Sequence, residues 1–511
     1  MNIDLNQLKN AVDRYRRFLP EQGLHAFDIS SLDRIGIPVY MTSLQGHDGF
    51  SNNGVGYGNS PTEALVGALG ELSETFHIHN ALKIAPACEA VSYNDMVHHF
   101  GLDRVIDPLA LCLSAGYPYN DELPLRWVAV TRWADAARCW APREAVAYSG
   151  FSYDTHSTHV ELQNGISSAR LYPPITCGLG AGMDLEQALS HGVLELLQRD
   201  GNCTAFRAMD QGTDIELDVV ESKEIIATLS HLKSLGLHVR AKLASTEFGL
   251  VNLYVIAEPV PGVNATETFP LLVTACGEAV HPNRERALRK ALHEFISSRS
   301  RKTFMHGSIA NVKALAPTEY LRSCLESAQF QSEEPKALTE MASWLSKSQA
   351  ELSSLLSDTV FSSRQTVNFS SLPNSDDHIV SDSKYRLKNL ADRLAVQNIS
   401  IYFFDGSSSE SDAPKVVKAI APGLEGETLS YWRMGERGAK RLIERRSTLV
   451  SQNFPQAQHV LVPLRTTVEK AMGGQVFFKV PEWEKTLNGH YPLYREPAPH
   501  TAQKFLVSRE A

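Results

Sequence analysis

The sequence has no Cys-x-x-Cys pair, no uncharged run long enough to span a bilayer and no excess of positive charge. Its seven cysteines, Cys88, Cys112, Cys139, Cys177, Cys203, Cys276 and Cys324, are dispersed and odd in number, which argues for reduced thiols and against a zinc knuckle or disulfide framework. Cys177 lies inside a glycine-rich stretch, where a small buried thiol is a commoner use than a nucleophile. The opening MNIDLNQLKNAVDRYRRFLP is an amphipathic helix pattern without the basic start and apolar core of a signal peptide, so the expected location is cytoplasmic, with no membrane contact. With 49 basic against 58 acidic residues and a net charge of −9, the chain lacks the electrostatic footprint of a nucleic-acid binder. At 511 residues and 43% apolar content it can bury a large core, as roughly two to four domains or one composite fold.

What is present is a repeated pairing of glycines with an acidic helix. In DLEQALSHGVLELLQR, Asp184 to Arg199, apolar residues recur at helical spacing and leave Glu195 and Gln198 one turn apart on a neighbouring face. PTEALVGALGELSETF, Pro61 to Phe76, repeats the design with Pro61 at a helix start and Glu71 and Glu74 at the same interval. Four oxygen-bearing side chains on two packed helices would suit Mg²⁺ held beside nucleotide phosphates. NGVGYGNSP precedes the first helix and TCGLGAGMD the second, so both are expected to be loops admitting close approach by an anion, with Gly56, Tyr57 and Gly58 at the first. PLLVTACGEAVHPNRERALRKALHEFISSRSR repeats the plan a third time, with a turn expected at Gly277 and a helix bearing Glu294 and Arg299.

Strands are expected in SSLDRIGIPVYMTSL, LRWVAVTRWA, LHVRAKLAS, GLVNLYVIAEP, ISIYFFDGS and KVVKAIAPGLE, and a basic helix in SYWRMGERGAKRLIE. The fold class is therefore α+β, mixed sheets and helices around one cleft. From Asn311 to about Asp392 the chain turns Ser-rich, most of all in an insertion at about 345–385, expected to be a mobile flap or a docking surface. The last thirty residues, rich in Pro and aromatics, suggest an extended tail.

These stretches occur in a telling order: LDRIGIPVY, a Gly-x-Gly stretch, ALGELSE, GLGAG with ELLQRD, His281-Pro282 with ALHE and Arg299, and APGLE. From about Leu32 to Arg441 the chain resembles the YcaO-domain family. The resemblance implies a YcaO-like fold around a nucleotide-binding cleft, with an N-terminal helix at 1–30, a catalytic domain at 31–445 and a C-terminal segment with a Pro-containing tail at 446–511. It implies an ATP- and Mg²⁺-dependent enzyme that activates backbone amides of a ribosomally made precursor peptide. A Cys, Ser or Thr side chain of the substrate adds to the preceding carbonyl, and phosphorylation of the oxygen makes it a leaving group, closing an azoline ring. Thioamide or amidine formation would use the same activation, and a non-catalytic peptide-binding scaffold or a redox-metal cluster of Glu71, Glu74, His77 and His79 are the other possibilities.

By the same resemblance Glu71, Glu74, Glu195 and Gln198 ligate Mg²⁺, while Gly56, Tyr57, Gly58, Arg199, Glu294 and Arg299 contact the nucleotide. The family's usual Gly-Lys-Gly has Tyr57 for its lysine, and Gly67, Thr75, Met183 and Gln187 also depart from its pattern. The expected partners are the precursor peptide, a ThiF-like or TfuA-like protein that reads its leader, a flavin-dependent dehydrogenase, and a second copy of the chain in a homodimer. Pro497 and Pro499 lie too far from Ala511 to form a proline-spaced catalytic terminus.

Overall fold

A glycine without a Cβ can serve a turn, or it can let two backbones press together. The computed structural model, which describes residues 5–46, 50–147, 160–161, 167–168, 171–172, 176–260, 267, 269–327, 329–426, 429–452 and 455–510, shows the second use in both glycine-rich stretches. They are strands. The three repeats are strand–helix pairs: β1 (Ser51–Tyr57) with α1 (Pro61–Ile84), β2 (Leu179–Gly182) with α2 (Leu185–Asn202), and β3 (Gly277–His281) with α3 (Arg284–His306). A Cβ on Gly56 would lie 2.0 Å from the Ala64 carbonyl oxygen of α1, one on Gly180 2.1 Å from Ala188 O of α2, and one on Gly277 2.1 Å from Ala291 O of α3. Each helix thus rests its backbone directly on its own strand. The loop expected at Gly56 and the turn expected at Gly277 are therefore strand positions, while Gly58 lies in the short link between β1 and α1.

The chain divides into two units, one of residues 1–72, 205–377 and 487–511, the other of residues 73–204 and 378–486. The stretch 31–445, expected as one catalytic domain, contributes to both units. In the first unit β1 is the last strand of an antiparallel meander with Leu24–Asp28 and Val39–Gln45. A second sheet runs in the order β3, Val251–Pro259, Leu237–Ser245, Thr213–Glu216, Gln365–Asn368, antiparallel except for its last pair. Strand alternation gives this sheet two covered faces. Val251, Leu253 and Val255 pack with Leu288, Ala291, Leu292 and Phe295 of α3. Tyr254 and Ile256 point the other way, into a cluster with Met341, Trp344 and Leu352.

In the second unit β2 edges an antiparallel sheet ordered Ala87–Val91, Leu125–Arg132, Tyr402–Asp405, Lys415–Ile420, β2, with Arg138–Pro142 also paired to Leu125–Arg132. A small sheet of Val450–Ser451, Phe477–Lys479 and His459–Leu461 completes it.

The Ser-rich segment is built into the fold and does not stand off it as a flap: Gln365–Asn368 is a sheet strand, and Trp344 is buried with its indole N–H on Gly489 O at 2.8 Å. Serines there close turns and cap a helix: Ser346, Ser357 and Ser371 donate to carbonyls three residues back, and Ser348 and Glu351 form a reciprocal capping box at Gln349–Leu355. The tail is not extended either. It holds helices Val480–Leu487 and Thr501–Glu510, and Glu496 bonds both Lys302 and His306 of α3. All seven cysteines are free, with Cys177 buried, and no helix among the described residues is long and apolar enough to cross a membrane.

Candidate functional site

The three helices start alike. Ser60 Oγ accepts the Glu63 N–H, Asp184 Oδ1 the Gln187 N–H and Asn283 Oδ1 the Arg286 N–H, so each N-cap satisfies a donor that the first turn leaves open. In the first two the third residue reaches back, Glu63 Oε2 to the Asn59 N–H and Gln187 Oε1 to the Met183 N–H, both within 2.9 Å. Gln187, a departure from the family pattern, therefore keeps an acceptor where capping needs one. At the third helix His281 Nδ1 takes the Asn283 N–H at 3.0 Å, which sets the His-Pro turn.

Two or three turns into each helix, a carboxylate reaches back to its strand. Glu71 Oε2 accepts the Val55 N–H at 2.5 Å, Glu195 Oε2 the Gly178 N–H at 2.9 Å and Glu294 Oε2 the Glu278 N–H at 3.2 Å. Glu74 uses the same device on the second unit's strand, accepting the Ala181 N–H at 2.9 Å. Glu74 and Glu195 thus hang from opposite ends of one short stretch, Gly178 to Ala181. Because the helix backbone lies on the strand, a Glu side chain has just the length to span the gap, and the bond fixes its rotamer before any ligand arrives.

In the second unit Gln198 is buried, and Arg199 lies 3.5 Å from Glu195 Oε1 with 28% of its side chain exposed. His191 Nε2 is 3.9 Å from Glu74 Oε1. A charged residue not anticipated from the sequence lies on the neighbouring strand. Lys418 is 2% exposed and donates its ammonium to the Cys177 carbonyl, and burial pulls its pKa down to about 8 against the opposing pull of Cys177, Glu195 and Glu74. The sequence signal is a lysine flanked by Val416 and Val417 on one side and Ala419 and Ile420 on the other. Asp200, 0% exposed, holds Arg437 and Arg441, and Glu425 caps the helix Glu436–Glu444 through the Gly435 and Gly438 N–H groups. The Asp of ELLQRD and the Glu of APGLE are thus structural ties.

In the first unit Tyr57 gathers charge. Burial first, then the carboxylates of Glu294, Glu71 and Glu278, push its hydroxyl well above its ordinary pKa, with Arg301 opposing. His293, beside it, is buried with a lowered pKa and sits 3.6 Å from Glu224. Arg299 is corrected. It is 1% exposed and forks onto two buried carboxylates, Asp33 at 2.8 and 2.9 Å and Glu267 at 3.0 and 3.1 Å, so it clamps the fold and offers nothing to a nucleotide.

Among the described residues no group of three or more His, Cys, Asp and Glu side chains converges as a ready metal cage, Glu71, Glu74, His77 and His79 included. His77 is buried with its Nε2 unpaired and its pKa lowered to about 4 by burial. What the helices offer is oxygen donors only, carboxylate and amide, the set a hard cation takes. Mg²⁺ characteristically uses one or two carboxylates and completes its shell with phosphate and water.

Residues 55–425 match the family described as YcaO cyclodehydratase, ATP- and Mg²⁺-binding. The fold resembles a YcaO protein from Methanopyrus kandleri solved with AMPPCP and Mg²⁺, 18% identical, TM-score 0.53, over 84% of this chain and 93% of that one. A heterocyclase solved with substrate and cofactor is similar at 13% identity and TM-score 0.59, over 86% of this chain and 55% of that one. An uncharacterized protein of Methanothermobacter thermautotrophicus is 25% identical over 284 residues, 55% of this chain and 66% of its own length. The family match spans most of the chain, from within β1 to beyond α3, and this chain belongs to the YcaO family, whose cofactors are ATP and Mg²⁺.

Proposed function

We propose that this chain is an ATP-dependent cyclodehydratase that turns Cys, Ser or Thr of a ribosomally made peptide into azolines. The observation that carries this reading is the recurrent anchoring of Glu71, Glu74, Glu195 and Glu294 by strand N–H groups, within a family that binds ATP and Mg²⁺.

ATP with Mg²⁺ supplies the phosphoryl group that makes an amide oxygen a leaving group. Glu71 in the first unit, and Glu74, Glu195 and Gln198 in the second, are proposed as metal ligands. The N–H anchors orient the three glutamates before binding, and Gln198 contributes an oxygen while lowering the summed negative charge by one. Arg199, poised near Glu195, suits a phosphate by its fork of donors. Glu294 and Tyr57 complete the nucleotide contacts on the first unit. The attacking thiol or hydroxyl belongs to the substrate, and leader recognition is assigned to a ThiF-like or TfuA-like partner, with a flavin-dependent dehydrogenase acting on the azoline and a homodimer as the working assembly.

The test is incubation with the peptide encoded beside this gene, its partner protein, ATP and Mg²⁺, followed by mass spectrometry. Loss of one water per modified residue supports the proposal. Exchange of oxygen for sulfur would replace it with thioamide formation, and an unchanged peptide with no ATP consumed would refute it.

A further inference from the structure

Lys418 is a charge set in an apolar strand. Its neighbours Val416, Val417, Ala419 and Ile420 are buried, and a methionine would fill the same space without taking an ammonium out of water. The Lys418 Nζ donates to Cys177 O at 2.5 Å, and the N–H of the same peptide unit, that of Gly178, donates to Glu195 Oε2 at 2.9 Å. One peptide plane thus carries an ammonium on its oxygen and a carboxylate on its nitrogen.

That plane can turn unless something holds it. Gly178 stands at φ +90°, and glycine accepts either sign of φ, so a half-turn of the Cys177–Gly178 peptide is open to it. No other residue fits there: a Cβ would lie 2.5 Å from Ala419 O, while the Ala419 N–H donates to Gly178 O at 2.7 Å. The fold therefore has to hang Glu195 on a glycine and to restrain the peptide from outside. Turned over, the peptide would aim its carbonyl at Glu195 and its N–H at the ammonium, which opposes like to like on both sides. An ammonium on the carbonyl also polarises the peptide and strengthens its N–H as a donor.

We infer that Lys418 is a positioning residue: acting through the Cys177–Gly178 peptide, it keeps the Gly178 N–H turned towards Glu195 and so fixes that carboxylate before the metal arrives. The consequence for metal binding rests on the function proposed above, whereas the relay through the peptide does not.

The experiment uses the full chain labelled with ¹³C at cysteine carbonyls and ¹⁵N at glycine. The sequence has two Cys–Gly steps, Cys177–Gly178 and Cys276–Gly277, so a correlation through the peptide bond gives two signals, and Cys276→Ser identifies the second by its loss. In Lys418→Met the Gly178 amide proton should move upfield while that of Gly277 stays in place, and the Kd of Mg·ATP measured by calorimetry should rise about tenfold or more. Lys415→Met, the same loss of charge on the same strand opposite Gly182, should change neither. Lys418→Arg should keep both near wild type, since a cavity of about 60 Å³ lined by Lys418, Cys177 and Leu196 has room for the larger head. A Gly178 signal unmoved in Lys418→Met, an equal rise in Kd in Lys415→Met, or a folded Lys418→Arg that loses both would overturn the assignment. Wild type that binds no Mg·ATP would sink the metal reading, and the Gly178 signal would then decide the relay alone.

Discussion

Gly56→Ala is the most informative single perturbation of this fold. The added Cβ would lie 2.0 Å from Ala64 O and 2.1 Å from Ala68 N, both backbone atoms of α1, so no side chain can swing aside. The helix must retreat from β1 by an ångström or more. Overpacking of that kind costs about 1–3 kcal/mol, and a domain of this size loses roughly 2–4 °C in Tm per kcal/mol, so a drop of roughly 2–12 °C is expected. Gly70→Ala in the same helix is the control. Its Cβ would meet Tyr15 Oη at 3.5 Å, an ordinary contact, and alanine in a helix interior gains about 1 kcal/mol over glycine. Thermal melts of the two variants should therefore move in opposite directions. Gly56→Ala should also lengthen the Val55–Glu71 bond and weaken Mg·ATP binding, which Gly70→Ala should leave intact. A Gly56→Ala protein that melts and binds like wild type would refute the claim that α1 rests its backbone on β1.

Three further outcomes follow from individual side chains. Asp33→Ala should leave Arg299 buried with half its partners, costing about 3–5 kcal/mol in urea denaturation with no selective change in the KM for ATP; a pure KM effect would return Arg299 to the nucleotide. Lys418 has a folded pKa near 8 against an ordinary 10.5, so between those values the unfolded chain binds more protons and stability should rise with pH. The burial cost, about 3 kcal/mol, is fully present below pH 8 and relieved towards pH 10.5, and the difference in stability between Lys418→Met and wild type, measured from pH 7.5 to 10.5, should shrink accordingly; a constant difference would contradict it. Gly180→Ala should reproduce the Gly56→Ala defect on α2, with a fall in Tm, since its Cβ would lie 2.1 Å from Ala188 O.

How far the sequence discloses this protein depends on the range of each signal. Helix periodicity and caps are local, and α1 and α2 begin where Pro61 and Asp184 indicate. The strands Leu237–Ser245 and Val251–Pro259 follow from runs of β-branched and aromatic residues. The glycine-rich stretches were misread because the absence of a Cβ serves a turn and a close contact equally well, and only the helix on the far side of Gly56 or Gly180 separates the two. Arg299 was misplaced for a similar reason: its partner Asp33 is 266 residues away, so nothing near Arg299 in the chain marks it as buried. Composition is a poor guide at the Ser-rich segment, where serines close turns and Ser348 caps a helix, and at the tail, where one carboxylate, Glu496, ties the chain down to Lys302 and His306. The assignment of Glu71, Glu74 and Glu195 to the metal comes from resemblance, and what the structure adds is the N–H that holds each of them.

The most direct test of that assignment is calorimetric titration of Mg·ATP into wild type and Glu195→Gln. Glutamine keeps an oxygen for the Gly178 N–H, so folding stability should stay within about 1 kcal/mol of wild type, while loss of the charge should weaken Mg²⁺-dependent ATP binding by about tenfold or more. Equal Mg·ATP affinity in the two proteins would contradict the proposal that Glu195 holds the metal.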